Sequence, residues 1–139
     1  MAVKSERKDD RGGSAIRLDR TYLHLEDGAG VTAVPVDGAF WATIDSRQDL
    51  QDGRLVTVNR MAETWPHWEM HPAGEEVVYL LSGAIDLVLD GADGERIVPL
   101  RDGEAYIVPR GTWHRAVVHA PGQALFITRG AGTRHRPVS

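Results

Sequence analysis

The chain has 139 residues and no cysteine. Disulfides, thiolate metal sites, iron–sulfur clusters and cysteine nucleophiles are therefore excluded. A cysteine-free chain fits a reducing cytosol, and the expected location is cytoplasmic. Apolar runs are short: Val77 to Leu81 is the longest, against the roughly 20 residues that a membrane helix needs. No apolar signal segment follows the N-terminal charges, so no membrane partner is expected. Basic residues are also in deficit, with 16 Lys and Arg against 20 Asp and Glu and a formal net charge of −4. That balance argues against a nucleic-acid partner, which a basic stripe would announce.

What the chain does have is an ordinary globular composition, 42% hydrophobic and 26% charged. A single domain with a real core follows. Seven of the eight residues from Lys4 to Arg11 are charged, and Gly12-Gly13-Ser14 follows. Residues 1–14 thus read as a charged flexible arm that cannot bury enough apolar surface to offset its ordering entropy. Residues 15–139 read as the folded domain.

Within that domain, short runs rich in Val, Ile, Leu, Thr and aromatics are separated by Gly, Pro or Asp. They predict strands near Ile16–Leu18, Tyr22–Leu25, Val31–Val36, Phe40–Ile44, Leu55–Met61, Trp65–His71, Val77–Ser82, Ile85–Leu89, Ile97–Leu100, Ala105–Val108, Trp113–Val118 and Leu125–Thr128. Ile85, Leu87 and Leu89 alternate cleanly, and Asp90 to Gly94 reads as a hairpin loop. No window beyond about ten residues carries a helical stripe free of Gly or Pro. The expected class is all-β, a sandwich or small barrel.

Two segments carry chemistry. The first runs Trp65-Pro-His-Trp-Glu-Met-His-Pro-Ala-Gly-Glu-Glu76 and on to Gly83; the second runs from Gly103 through Pro109-Arg-Gly-Thr-Trp-His114 to Val118. On an extended strand His67, Glu69 and His71 share a face. Neighbours two apart lie roughly 6.6 Å from each other, close enough to converge on one ion, whereas His67 and His71 are about 13 Å apart. Glu69 with His71 is therefore the natural pair. After the turn at Pro72-Ala-Gly74, alternation lets only one of Glu75 and Glu76 face inward. The Pro109–Gly111 turn delivers His114 from a neighbouring strand. Two imidazoles with one or two carboxylates suit a divalent transition metal such as Fe, Mn, Ni, Co or Zn.

The second segment, G-x5-P-x-G-x2-H at Gly103, Pro109, Gly111 and His114, resembles the second motif of the cupin superfamily. H-x4-E-x6-G at His71, Glu76 and Gly83 is similar to the latter part of its first motif. The resemblance implies a single antiparallel jelly-roll β-barrel, often a homodimer, with one metal on three His and one Glu. Carried over, His71, Glu76 and His114 are ligands. Two positions depart from the pattern: Glu69 stands where the first histidine belongs, and Val118 replaces the terminal asparagine. The metal set is then Glu69, His71, Glu76 and His114; alternatively Glu69 is a general base beside a three-ligand metal, or the site has lost its ion.

His67 reads as a pocket or rim residue, while His24, His119 and His135 read as structural or surface groups. Gly83, Gly103 and Gly111 read as backbone devices. With Glu69 inward, Trp68 and Met70 would lie on an exposed outer face, expected to form a dimer interface. Tyr79 and Tyr106 are candidates for pocket or core, and the Arg129–Ser139 tail reads as polar surface. Two functions compete: a metal-dependent enzyme on a small organic substrate (dioxygenase, isomerase or related) with Glu69 or His67 handling a proton, and a non-catalytic binding or sensor module.

Overall fold

The structure, a computed structural model, describes residues 13–139; the charged arm expected over residues 1–14 lies, but for Gly13 and Ser14, outside the described residues. The β-favouring runs form nine strands: β1 (Thr21–Leu25), β2 (Val31–Pro35), β3 (Arg54–Met61), β4 (His67–Met70), β5 (Glu76–Gly91), β6 (Gly94–Arg101), β7 (Ala105–Val108), β8 (Trp113–Thr128) and β9 (Arg134–Pro137). All pair antiparallel, in the order β2-β1-β3-β8-β4-β9, with β5 joining β8 to β6 and β7. The short alternating runs predict an all-β chain and the motif resemblance implies a jelly roll; the structure is an all-β antiparallel jelly roll.

Four of the expected strands merge into two. β5 absorbs Val77–Ser82 and Ile85–Leu89, and β8 absorbs Trp113–Val118 and Leu125–Thr128. The two pair along their length, from Val77 opposite Ile127 to Asp90 opposite Trp113, with register shifts around Leu80, Ser82 and Ala84. Gly83 has φ +105°, and a Cβ there would meet the Ala120 carbonyl oxygen at 2.7 Å. Opposite it, a Cβ on Gly122 would fall 1.9 Å from the Ser82 carbonyl oxygen. Backbone thus touches backbone at this bulge, which only glycine permits. The bulge lets the long ribbon curl.

Alternation along β5 turns Glu76, Val78, Leu80, Ile85, Leu87 and Leu89 inward. The apolar ones, with Met61, Leu100, Val108, Ala116, Ala124 and Phe126, make the main core. Each fully buried Leu or Ile contributes about 1.5–3 kcal/mol. The hairpin from β5 to β6 closes through Ala92-Asp93, between paired Gly91 and Gly94.

Three expectations are corrected. Phe40–Ile44 is not a strand: Phe40–Thr43 is helical and Ile44 opens a 3-10 turn. Phe40 is buried edge-on against Tyr22, 5.3 Å between ring centroids, in a second small core with Val34 and Leu50. That aromatic contact overrides the β-favouring composition. Ile16–Leu18 forms no strand and leads into a turn. Finally, the Trp68 ring is not an open patch. It is only 7% exposed, because the Arg115 and Arg136 guanidinium groups lie 5.4 and 5.5 Å from its ring centroid. Arg136 is held by Asp90 and stacks 4.4 Å from the Trp113 ring as well. Among the described residues no helix is long and apolar enough to cross a membrane.

Candidate metal centre

Register sets a row of side chains across three strands. On β4, Glu69 stands opposite His114 of β8 on one side and opposite His135 of β9 on the other. His71 follows at the end of β4, and Glu76 begins β5 in phase with Val78 and Leu80. One ligand atom from each of Glu69, His71, Glu76 and His114 lies within 4.8 Å of every other. Glu76 is 3% and His114 0% exposed, whereas Glu75 faces solvent.

The hydrogen bonds behind these residues orient them. His114 Nδ1 lies 2.9 Å from the Thr112 carbonyl oxygen, which can only accept. His71 Nδ1 lies 2.8 Å from Thr133 Oγ1, whose own hydrogen is donated to the Gly130 carbonyl at 2.8 Å. Both imidazoles therefore carry a proton on Nδ1, and both Nε2 atoms point into the cluster. There, His114 Nε2 is 3.0 Å from Glu76 Oε1, and His71 Nε2 is 3.3 Å from Glu76 Oε2. Glu69 Oε2 stands 3.6 and 3.8 Å from the same two nitrogens. Thr128 Oγ1 donates to Glu76 Oε2 at 2.6 Å.

Neutral imidazoles so arranged direct two lone pairs at two carboxylates in a buried space, which is repulsive unless a cation sits between them. His71 Nε2 is buried and makes no well-formed hydrogen bond among the described residues. The donor set, its spacing and this orphaned nitrogen all fit a divalent ion. Without an ion the same electrostatics recruit protons. Burial disfavours the charged form of His71, but contacts with Glu69 and Glu76 outweigh it and raise its pKa to about 10. Burial likewise pushes Glu69 up, yet its contacts with His135 and His71 hold it well below the usual carboxylate range. Burial pushes Glu76 up as well, but its contacts with His114 and His71 outweigh that and lower it.

Other predicted residues fall around this core. His67 is half-buried at the rim, its ring stacked on Trp65 with centroids 6.2 Å apart. His24 is buried far from the cluster, bonded to the Asp52 carbonyl, and His119 pairs outside with Asp86 at 2.8 Å. The Tyr106 hydroxyl accepts from Arg96 while its ring packs against the core. Gly83, Gly103 and Gly111 all have positive φ. Sequence reasoning missed His135, whose Nε2 lies 3.2 Å from Glu69 Oε1, and the orienting Thr128 and Thr133. The register of β9 against β4 reveals His135, while Thr128 at the end of β8 and Thr133 in the turn before β9 are revealed only by their side-chain contacts.

Comparison with known proteins agrees with this architecture. A family model described as a cupin domain matches residues 54–128, more than half of the chain. No curated protein matches. Among solved structures, a cupin-2 domain protein from Shewanella frigidimarina is 18% identical, with a TM-score of 0.47 over 53% of this chain and 68% of its own. Peruvianin-I, a cysteine peptidase from Thevetia peruviana latex, is 18% identical, with a TM-score of 0.52 over 63% of this chain and 58% of its own. Oxalate decarboxylase of Bacillus subtilis, a protein with Mn(II) centres, is 16% identical, with a TM-score of 0.50 over 61% of this chain and 24% of its own.

Proposed function

The chain belongs to the cupin domain family, and from that premise we propose that it holds one divalent transition metal on Glu69, His71, Glu76 and His114 and acts on a small organic molecule. The observation that carries this reading is the pair of imidazole Nε2 atoms, each ring anchored through its Nδ1, aimed at two carboxylates in a buried space. Two imidazoles with two carboxylates form a harder donor set than three imidazoles with one, favouring Mn²⁺ or Fe²⁺ within the wider group that includes Ni, Co and Zn. The Mn(II) centres of oxalate decarboxylase, a structural neighbour, are consistent with that choice.

A bound ion supplies Lewis acidity toward an oxygen of the substrate. The chain's own residues supply the rest. Thr112, Thr133 and Thr128 fix the ligands, so little reorganisation is needed when charge develops. Trp65, stacked against both His67 and Phe126, forms an apolar wall beside His114. Glu69 takes a proton from the bound molecule at Oε1 and hands it to His135 Nε2, which reaches solvent; His67 lines the same rim.

Elemental analysis of untagged protein tests the metal. Near-stoichiometric transition metal, lost in Glu76→Ala and His114→Ala, is expected. Metal-free protein whose melting temperature ignores added Mn²⁺, Fe²⁺, Ni²⁺ or Zn²⁺ would overturn it. Turnover is tested by oxygen uptake and product analysis against thiols, diketones and phenolics. A metal-loaded protein that binds such molecules without converting them would be a binding module instead.

A further inference from the structure

Glu69 faces two ways. Its Oε2 lies 3.6 Å from the buried His71 Nε2, while its Oε1 lies 3.2 Å from His135 Nε2, and His67, Glu69 and His135 make a second group in which one ligand atom of each lies within 4.8 Å of the others. We infer that His67, Glu69 Oε1 and His135 form a second, outer metal site, joined to the inner one through the Glu69 carboxylate.

The fold builds this group deliberately. His67 and Glu69 are two apart on β4 and share a face, and His135 is the direct cross-strand partner of Glu69. The His67 and His135 rings approach edge to face, with centroids 5.1 Å apart. Trp65 stacks on His67 at an interplanar angle of 13°, limiting its rotation. All three ligands thus sit on strands, and both imidazole rings have neighbours that orient them. Unlike the inner cluster, this one opens to solvent: the His135 side chain is 54% exposed. An ion here would keep open positions filled by water and exchange readily.

Two imidazoles and one carboxylate form a nitrogen-richer set than the inner one. The outer site should therefore favour the later first-row ions, Cu²⁺, Ni²⁺ and Zn²⁺, over Mn²⁺. An ion on Glu69 Oε1 also occupies the atom to which the proposed proton transfer is assigned, so outer loading blocks that role. The site itself does not rest on the inner reading, since only Glu69 is shared.

Calorimetric titration of untagged, chelator-treated protein with Zn²⁺, checked by equilibrium dialysis, is the test. Two binding events per chain are expected, the weaker one lost in His135→Ala and in His67→Ala. In Glu76→Ala one event should survive, and it should vanish in Glu76→Ala/His135→Ala. Both rim histidines are away from the main core, and circular dichroism with thermal melting verifies that their variants fold. If His135→Ala and His67→Ala each bind Zn²⁺ with the stoichiometry and affinity of the parent, the outer site is refuted whatever the inner site does. If the parent binds two ions and Glu76→Ala binds none, the outer site is likewise refuted as an independent position. Failure of the inner reading alone looks different: one event in the parent, unaffected by Glu76→Ala and abolished by His135→Ala.

Discussion

Glu76 and His114 touch, Oε1 to Nε2 at 3.0 Å, although they sit at opposite ends of the β5–β8 ribbon. In the ladder His114 pairs with Leu89, and along a straight strand residues 76 and 89 would be about 43 Å apart. The contact exists because the ribbon curls at Gly83 and Gly122, where the two backbones leave no room for a Cβ. Site and bend are one construction.

Gly122→Ala should therefore disturb the site from a distance. Its Cβ has no flexible neighbour to displace, only the Ser82 carbonyl, so the backbone must move at a cost of about 2 kcal/mol or more. A melting temperature lower by roughly 5–10 °C is expected, together with weakened metal binding. An unchanged melting curve would contradict the proposed origin of the curl.

Glu76→Gln keeps the volume of the buried side chain and removes its charge. Metal affinity should fall more than about a hundredfold, since disturbing orienting partners alone costs 10–100-fold. Titration with Mn²⁺ or Co²⁺ measures it. Equal affinity in the variant would remove Glu76 from the ligand set.

Thr128→Val and Thr133→Val test the orienting hydrogen bonds. Each deletes a hydroxyl bonded to a cluster residue, Glu76 Oε2 or His71 Nδ1 respectively. Each should weaken metal binding about 10–100-fold while the far-ultraviolet circular dichroism stays unchanged. Parent-like affinity in both would show that the ligands need no such support.

The metal-free protein should have a bounded pH range of stability. His71 is raised from 6.5 to about 10, so its contribution is complete below pH 6.5 and is lost as pH rises toward 10. Glu69 and Glu76 are lowered from 4.5, so theirs is present above pH 4.5 and is lost in acid. Melting temperature in chelator should peak between about pH 4.5 and 6.5. Added metal replaces the His71 proton, so its stabilising effect should grow with pH. A chelated protein equally stable at pH 6 and pH 9 would contradict this.

Part of the inner cluster was legible from period two and part from the motif resemblance. Glu69 with His71 follows from strand spacing, and alternation admits only one of Glu75 and Glu76; the H-x4-E spacing selects Glu76, which the structure places in phase with Val78 and Leu80. His135 was not legible. Its strand, β9, is four residues long and mostly exposed, so no alternation announces it, and its role depends on register against β4. The outer face of β4 was misread for a related reason: the cover over Trp68 comes from arginines on β8 and β9, remote in sequence. Phe40 to Ile44 has strand-like composition, but a local aromatic cluster with Tyr22 decides its conformation.

The curl has a kinetic consequence. The inner ligands and their orienting partners span residues 69 to 133 and converge only when both ends of the ribbon and the C-terminal strand are in place. A partly folded chain offering the β5–β6 hairpin alone would present Glu76 without its companions. Ligation is then expected after the folding transition state, and groups that meet late change the rate of leaving the native state rather than of reaching it. Loaded protein should refold at the pace of metal-free protein and unfold more slowly. The ion would act as a clasp on a barrel already closed.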